Sequence, residues 1–334
     1  MAAERPNIKV LKETRKIIRA QGGRITFAEF MGLALYHPEA GYYTRGHRVI
    51  GPQGDFFTSP SASPLFGRLL ARQFLRFREE LGNPPGFAVV ELGGYQGQLR
   101  QDVLAEAPDL DYRLVEVGDS LPPGLVGCVF SNEFWDALPV HRAKVEGGRW
   151  QEIYVREEGE GFADELGPLS DPRLEEYLHD LPVAWMEGYE TTVGLQAQEW
   201  MLRLGRSLER GFVLSIDYGF ERAEYFSPQR PKGTLRSYYR HTLGDDYYAR
   251  PGEQDLTAHV DFSALIDTGR QVGLEPVLFT DQGRYLVGIG QELFREIAER
   301  TAGQFSRERQ AIHQLIHPSL MGSAFKVLIQ KKGC

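Results

Sequence analysis

Apolar residues recur at helical spacing near the start of the chain, whereas later they form short unbroken runs. Residues 7–21 place apolar and charged side chains on opposite faces of a 3.6-residue period, which predicts an amphipathic helix closed by Gly22-Gly23. Thr26 and Glu29 then have the spacing of a capping box, so a second helix is expected to start there.

A third predicted helix starts at Ser63-Pro64 and ends before Gly82. Residues 38–60, which precede it, are rich in glycine, proline and aromatic side chains. Long loops of this kind in compact domains often carry function. The helix keeps one apolar face, formed by Leu65, Phe66, Leu69, Leu70, Phe74, Phe77 and Leu81.

From Phe87 onward, apolar runs typical of buried strands alternate with helical segments. The expected strands are 87–92, 111–117, 125–131, 211–219, 275–280 and 323–330, with a hairpin at 141–156. The expected helices are 97–106, 171–180, 193–210, 262–272 and others across 291–315, with loops at 157–170 and 220–261. This alternation predicts an α/β fold with a doubly wound, mainly parallel sheet.

The same pattern suggests two parts. Residues 1–82 are expected to form a helical N-terminal extension that packs on the core, and residues 83–334 the α/β core. Insertions at about 141–210 and 220–261 are expected to cover the substrate.

Composition narrows the class of protein. Of 334 residues, 42% are hydrophobic and 25% charged, which suits a globular protein with a real core. A net charge of −8 argues against a general nucleic-acid binder, and no apolar run is long enough to span a membrane. Cys128 and Cys334 are expected to be free thiols, and no Cys/His cluster suggests a metal centre. Without a recognisable secretory signal, we expect a soluble cytoplasmic protein.

The clearest chemical signal is a strand that breaks into glycines and resumes as a helix. Glu91 ends the strand at residues 87–92, and Gly93, Gly94 and Gly97 follow it. Such a loop lets backbone N–H groups approach a nucleotide-like ligand. Glu116 ends the next strand, at the position where Rossmann-like sites hold ribose hydroxyls. We therefore expect an adenosine-containing cofactor at the carboxyl edge of the sheet.

Two further strands end in polar residues. Asn132 and Glu133 close the strand at 125–131, and Asp217 lies where the strand at 211–219 ends in an acidic turn. Ligands of open α/β sheets bind beyond the carboxyl ends of the strands, which makes these side chains functional candidates. Capping the next helix, or starting a turn, is the structural alternative for each.

With these segments in order, the chain resembles the MidA-like family of S-adenosyl-L-methionine (SAM)-dependent methyltransferases, which includes a mitochondrial complex I assembly factor that methylates a protein arginine. The resemblance extends over most of the chain. It is carried by Gly41-Tyr42-Tyr43, Gly54-Asp55-Phe56-Phe57-Thr58-Ser59-Pro60, Phe66-Gly67, Glu91-Leu92-Gly93, Asn132 to Val140, Asp217-Tyr218-Gly219, Gly233 to Arg236, His241, Pro251-Gly252 and Asp255 to Phe262.

The resemblance implies a Rossmann-like class I methyltransferase fold that transfers the methyl group of SAM to a protein side chain, arginine by analogy. A guanidinium stays protonated in water, so carboxylates must hold it and leave one nitrogen lone pair available. The implied catalytic candidates are Asp55, Glu133, Asp217, His259 and Asp261, with Asp136 as a further carboxylate. The implied cofactor contacts are Glu91, Gly93, Gly94, Tyr95, Gly97, Glu116 and Asn132.

The sequence departs from the family pattern at two points. The cofactor loop normally reads Gly-Pro-Gly-x-Gly, and here Tyr95 replaces the middle glycine, which often has a positive φ. Residues 117–124 are also too short for the usual crossover helix and strand, because a parallel crossover needs a dozen or more residues. We therefore expect the sheet to lack one edge strand and the site one adenine wall.

These departures leave alternatives open. The chain could be a catalytically impaired relative that acts as a binding or assembly module, or a methyltransferase for a small oxygen or nitrogen nucleophile. A sheet edge without its usual neighbour could also pair with another subunit, which makes a homo-oligomer a hypothesis.

Overall fold

The computed structural model describes residues 7–45, 63–179, 181–183, 186–240, 242–302 and 304–333. Contacts group the described chain into two compact units. Unit 1 contains the described residues of Met1–Phe56, Asp136–Ala197 and Phe220–Asp261, and unit 2 those of Phe57–Trp135, Gln198–Gly219 and Phe262–Cys334. The expected division after residue 82 into a helical extension and an α/β core stays a prediction.

The strands in chain order are β1 (Arg24–Thr26), β2 (Ala88–Leu92), β3 (Asp111–Val115), β4 (Leu125–Asn132), β5 (His141–Glu146), β6 (Arg149–Glu158), β7 (Gly161–Gly167), β8 (Glu190–Val193), β9 (Leu208–Phe220), β10 (Arg236–Tyr239), β11 (Thr242–Gly244), β12 (Asp255–Thr257), β13 (Val260–Asp261), β14 (Glu275–Asp281) and β15 (Phe325–Lys332). The α-helices are α1 (Ile8–Ala20), α2 (Phe27–Tyr36), α3 (Pro64–Glu80), α4 (Gln98–Glu106), α5 (Pro172–His179), α6 (Leu195–Ser207), α7 (Arg222–Tyr225), α8 (Phe262–Arg270), α9 (Gln282–Arg300) and α10 (Arg307–Ile316).

The central sheet of unit 2 has the strand order β14-β15-β9-β4-β2-β3. β3, β2, β4 and β9 are parallel neighbours, whereas β15 is antiparallel to both β9 and β14. The sheet is therefore mainly parallel, as predicted. On one side β3 ends the order, so within the described chain no strand covers its outer edge, and the expected loss of an edge strand is confirmed.

Helices cover one face of this sheet through a large apolar core. Apolar side chains of α3, α4, α9 and α10 pack there on alternate residues of β2, β4 and β9, such as Val89, Phe130 and Phe212. α3 and α4 approach so closely that a Cβ on Gly67 would lie 2.4 Å from the Cβ of Asp102. This contact gives a physical reason for one of the glycines on which the family resemblance rests.

Unit 1 contains antiparallel sheets. Its larger sheet runs β1-β6-β5-β8, with β7 also paired to β6, and a smaller sheet runs β11-β10-β12. Side chains of β5, β8, α5 and α7 form one of its cores, with Val145, Val193, Leu178 and Phe226 fully buried. The predicted capping box is present, since Thr26 and Glu29 exchange hydrogen bonds at the start of α2.

Several elements differ from the sequence prediction, and the short strands β1 and β8 were not predicted. The expected loop at 157–170 contains β7, whose charged side chains alternate with buried ones and therefore lack an apolar run. The expected loop at 220–261 contains a short helix and four short strands, each too brief to show a period. α9 begins directly after β14 at Gln282, nine residues before the predicted helical region.

Candidate cofactor site

The loop between β2 and α4 has the tightly curved backbone that a cofactor loop requires. Gly93, Tyr95 and Gly97 all have positive φ, of 65°, 48° and 71°. Tyr95 therefore keeps the conformation that glycine normally supplies at this place. A non-glycine residue in this region costs roughly 1–2 kcal/mol.

The first two glycines are needed for space, and Gly93 is needed for its conformation as well. A Cβ on Gly93 would lie 2.9 Å from the ring of Phe134. A Cβ on Gly94 would lie 2.6 Å from Leu114 and 3.0 Å from the carboxyl of Glu91. The loop is thus a close-fitting backbone surface with little room for side chains.

Glu91 lies beneath this loop and is buried. Its carboxylate accepts a hydrogen bond of 3.0 Å from the hydroxyl of Tyr112. Burial raises the pKa of Glu91 to about 7, against the lowering effect of the Tyr112 hydrogen bond, and the charge of Glu116 adds to the rise. Glu91 supports the loop from below, and its charge changes near neutral pH.

Glu116 follows β3 and is exposed. Its Oε1 accepts a hydrogen bond of 3.0 Å from the backbone N–H of Tyr95. This bond stabilises the left-handed turn at Tyr95. Oε2 accepts no hydrogen bond from the described residues, so it remains available to a ligand such as a ribose hydroxyl.

The end of β4 brings Asn132 and Glu133 to the same edge of the sheet. The Nδ2 of Asn132 donates a 2.9 Å hydrogen bond to Oε1 of Glu133. The Oδ1 of Asn132 is buried and accepts no hydrogen bond within the described residues. Glu133 has a φ of 54°, which turns the chain sharply out of the sheet. Strained residues of this kind are concentrated at functional sites.

Asp217 of β9 organises that turn. Its buried Oδ2 accepts hydrogen bonds from the backbone N–H groups of Phe134 and Trp135, at 3.1 and 2.9 Å, and its Oδ1 accepts one from Tyr218. Asp217 therefore has a positioning role, because these bonds fix the segment that presents Glu133.

The other catalytic candidates do not belong to this group of unit 2 residues. His259 and Asp261 lie in unit 1, and Asp55 lies outside the described residues. Burial, then the charges of Arg236 and Arg230, lower the pKa of His259 to about 4. Asp261 accepts hydrogen bonds from Tyr177, at 2.6 Å, and Arg222, at 3.4 Å.

The unit 2 residues fit SAM. The glycine loop offers a surface that added Cβ atoms would fill, Glu116 offers a carboxylate oxygen, and Asn132 offers an unpaired buried acceptor. The predicted contacts at Glu91, Gly93, Gly94, Tyr95, Gly97, Glu116 and Asn132 thus lie on neighbouring strand ends, and their binding roles remain predictions.

The sequence did not predict the residues that hold the connection 117–124 next to the candidate site. Asp119, Arg203 and Ser207 make side-chain contacts around the segment 117–124. Nothing in their spacing pointed to a site, because α6 is far from this segment in sequence.

Comparison with known proteins agrees with this geometry. A family profile described as "Putative S-adenosyl-L-methionine-dependent methyltransferase" matches residues 115–280. A solved structure of a protein from Burkholderia thailandensis bound to S-adenosyl-homocysteine superimposes with a TM-score of 0.91 and 30% identity, over 98% of this chain and 92% of that one.

Curated relatives give a further comparison. A mitochondrial protein arginine methyltransferase of Rattus norvegicus is 28% identical, over 91% of this chain and 80% of that protein. The human one is 27% identical, over 97% of this chain and 83% of that protein.

One expectation is corrected by these relatives. A cytoplasmic location was expected, but the curated relatives are mitochondrial proteins, which contradicts it. The described part of the chain contains no helix long and apolar enough to cross a bilayer.

Proposed function

Because the chain belongs to the family of SAM-dependent methyltransferases, we propose that it methylates arginine side chains of a protein substrate. The names of the curated relatives support this acceptor. The observation that carries the proposal is the position of Glu133, a carboxylate in a left-handed turn beside the cofactor residue Asn132.

SAM, when bound, supplies an electrophilic methyl group. The glycine loop, Glu116 and Asn132 would hold and orient it through a close backbone surface, a carboxylate oxygen and a buried amide oxygen. Asp217 keeps the Glu133 turn in place, so the Glu133 carboxylate is fixed before any substrate arrives. Fixed groups of this kind cost little reorganisation during the reaction.

Glu133 has the chemistry to accept N–H groups of a guanidinium. A carboxylate that binds two of the nitrogens orients the planar group, which leaves the third nitrogen to act as the nucleophile. The amide of Asn132 already donates to Oε1 of Glu133 and fixes the rotation of the carboxylate.

His259 is a weak base in this fold. With a pKa near 4 it is neutral at pH 7 and does not retain a proton there. We therefore propose that His259 contributes as a neutral group, and that the proton released from the methylated guanidinium passes to a carboxylate or to water.

The proposal is tested with labelled SAM and two peptide libraries. One library has arginine at its central position, and the matched library has lysine there. We expect methyl incorporation into the arginine library only. Glu133→Gln should lower the rate by about 30-fold or more, since a charged partner of the guanidinium is lost.

Binding of S-adenosyl-homocysteine is the control. Glu133→Gln should bind it as the native protein does, because glutamine keeps a carbonyl oxygen that can accept the hydrogen bond from Asn132 and the glycine loop is unchanged. Methylation of the lysine library, or full activity of Glu133→Gln, would contradict the proposal.

A further inference from the structure

Residues 117–124 form the most unusual connection in unit 2. They lead from β3 to β4, which lie on opposite sides of β2 and are both parallel to it. The connection therefore returns from the carboxyl edge of the sheet to its amino edge, past β2, without a helix. Gly118, Asp119 and Ser120 are exposed, so the segment has little packing of its own.

We infer that Arg203 and Ser207 of α6 fasten this connection and thereby set the position of the Glu116 carboxylate in the cofactor site. Arg203 is the positioning residue of greater interest because its contact lies nearer to Glu116. The inference rests on the use of SAM assigned above and adds residues to that site.

Two side chains of α6 hold two carbonyl groups of the connection. The Nη2 of Arg203 donates a 3.0 Å hydrogen bond to the carbonyl of Asp119. The hydroxyl of Ser207 donates to the carbonyl of Pro122. Residues four apart lie on the same face of a helix, so one face of α6 fastens both points.

Asp119 transmits this attachment to Glu116. Its Oδ2 accepts a 2.9 Å hydrogen bond from the backbone N–H of Glu116, and its own N–H donates one of 2.9 Å to the carbonyl of Glu116. The Glu116 carboxylate then accepts the N–H of Tyr95. A continuous set of hydrogen bonds thus joins Arg203 to the cofactor loop.

Arg203 is itself held in place. Its guanidinium lies 4.1 Å from the centre of the Trp200 ring. Trp200 is buried and packs edge-on against Phe134, with ring centres 5.2 Å apart. Phe134 is the ring that approaches Gly93. α6 is therefore connected to the cofactor site both by hydrogen bonds through Asp119 and by the packing of Trp200 on Phe134.

Removing the Arg203 side chain should weaken cofactor binding moderately. One hydrogen bond and one exposed cation–π contact are lost, and both are modest interactions. We expect Arg203→Met to weaken binding of S-adenosyl-homocysteine by about five- to tenfold. Arg203→Lys, which keeps a cation that can donate, should recover part of the loss.

Calorimetric titration with S-adenosyl-homocysteine measures this effect. Arg206→Met is the matched control, because Arg206 is exposed on the same helix and makes no hydrogen bond or ion pair with the described residues. It should bind as the native protein does. Arg206→Met should have native thermal stability, and Arg203→Met should melt slightly lower because two modest contacts are lost.

A double-mutant cycle separates positioning from general support of the fold. If Arg203 acts through Glu116, Arg203→Met should cost less than about twofold in a Glu116→Gln background. An equal cost in both backgrounds, unchanged binding by Arg203→Met, or an equal loss in Arg206→Met would each overturn the inference. Absence of binding by the native protein would instead overturn the cofactor assignment, so the two failures are distinguishable.

Discussion

The buried carboxyl of Glu91 allows a quantitative test of how the cofactor loop is supported. Glu91 is 5% exposed, and its pKa is about 7 in the fold against an ordinary value of 4.5. A carboxyl whose pKa is raised by folding favours the fold only while it is protonated. Its contribution is fully present below pH 4.5 and is lost as the pH rises to about 7.

The size of the effect follows from that difference. One pH unit of displacement corresponds to about 1.4 kcal/mol, so the fold loses about 3 kcal/mol through Glu91 between pH 4.5 and 7. Glu91→Gln cannot ionise and should not show this loss. Relative to the native protein, the variant should therefore gain about 3 kcal/mol between pH 4.5 and 8.

Urea unfolding at several pH values, with amide exchange of β2 and β4 as a readout specific to unit 2, measures this difference. Any constant effect of the substitution, such as a weaker bond to Tyr112, cancels in the comparison across pH. Glu292→Gln, at an exposed position of α9, is the control and should show no such trend. A difference that stays constant with pH, or changes in the opposite direction, would refute the account of Glu91.

Three further predictions concern other residues. The stability of the native protein should also depend on pH through His259, in the direction opposite to Glu91. Because the pKa of His259 is lowered to about 4, the native fold loses up to about 3 kcal/mol as the pH falls from 6.5 to 4. His259→Gln should remove this loss, which thermal melts of both proteins at several pH values would show. Gly67→Ala should destabilise the protein by about 1–2 kcal/mol because its Cβ would overlap Asp102, whereas Gly288→Ala, with open space around it, should be neutral or slightly stabilising in the same urea melts. Tyr95→Gly should raise the free energy of unfolding by up to about 1 kcal/mol, because glycine adopts the positive φ without strain. The variant should still bind S-adenosyl-homocysteine in calorimetry. Binding by the variant but not by the native protein would show that Tyr95 blocks the site.

The sequence predicted the central sheet well because its strands are apolar runs and its helices keep a clear period. It also predicted the short connection at 117–124, since chain length alone excludes a crossover helix there. β7 was missed because a strand in an antiparallel sheet with charged, partly exposed residues has no apolar run. The hydrophobic pattern of the sequence does not show that β7 pairs with β6.

The sequence predicted the candidate site residues at the strand ends, but it did not predict the residues whose hydrogen bonds hold them in place. Glu116 and Asn132 could be predicted as cofactor contacts because each ends a strand at the carboxyl edge of the sheet, and their binding roles stay predictions. The role of Asp217 in holding backbone N–H groups, and that of Arg203 in holding the 117–124 connection, depend on contacts between distant parts of the chain. Only the folded structure brings those residues together.

The proposed function requires that the loop containing Tyr95 binds SAM. Calorimetric titration of the native protein with S-adenosyl-homocysteine tests this most directly, with Glu116→Gln as the variant that weakens the site. We predict one binding site with a dissociation constant of about 1–100 μM and clearly weaker binding by Glu116→Gln. No heat of binding by the native protein, with a folded state verified in the same sample, would contradict it.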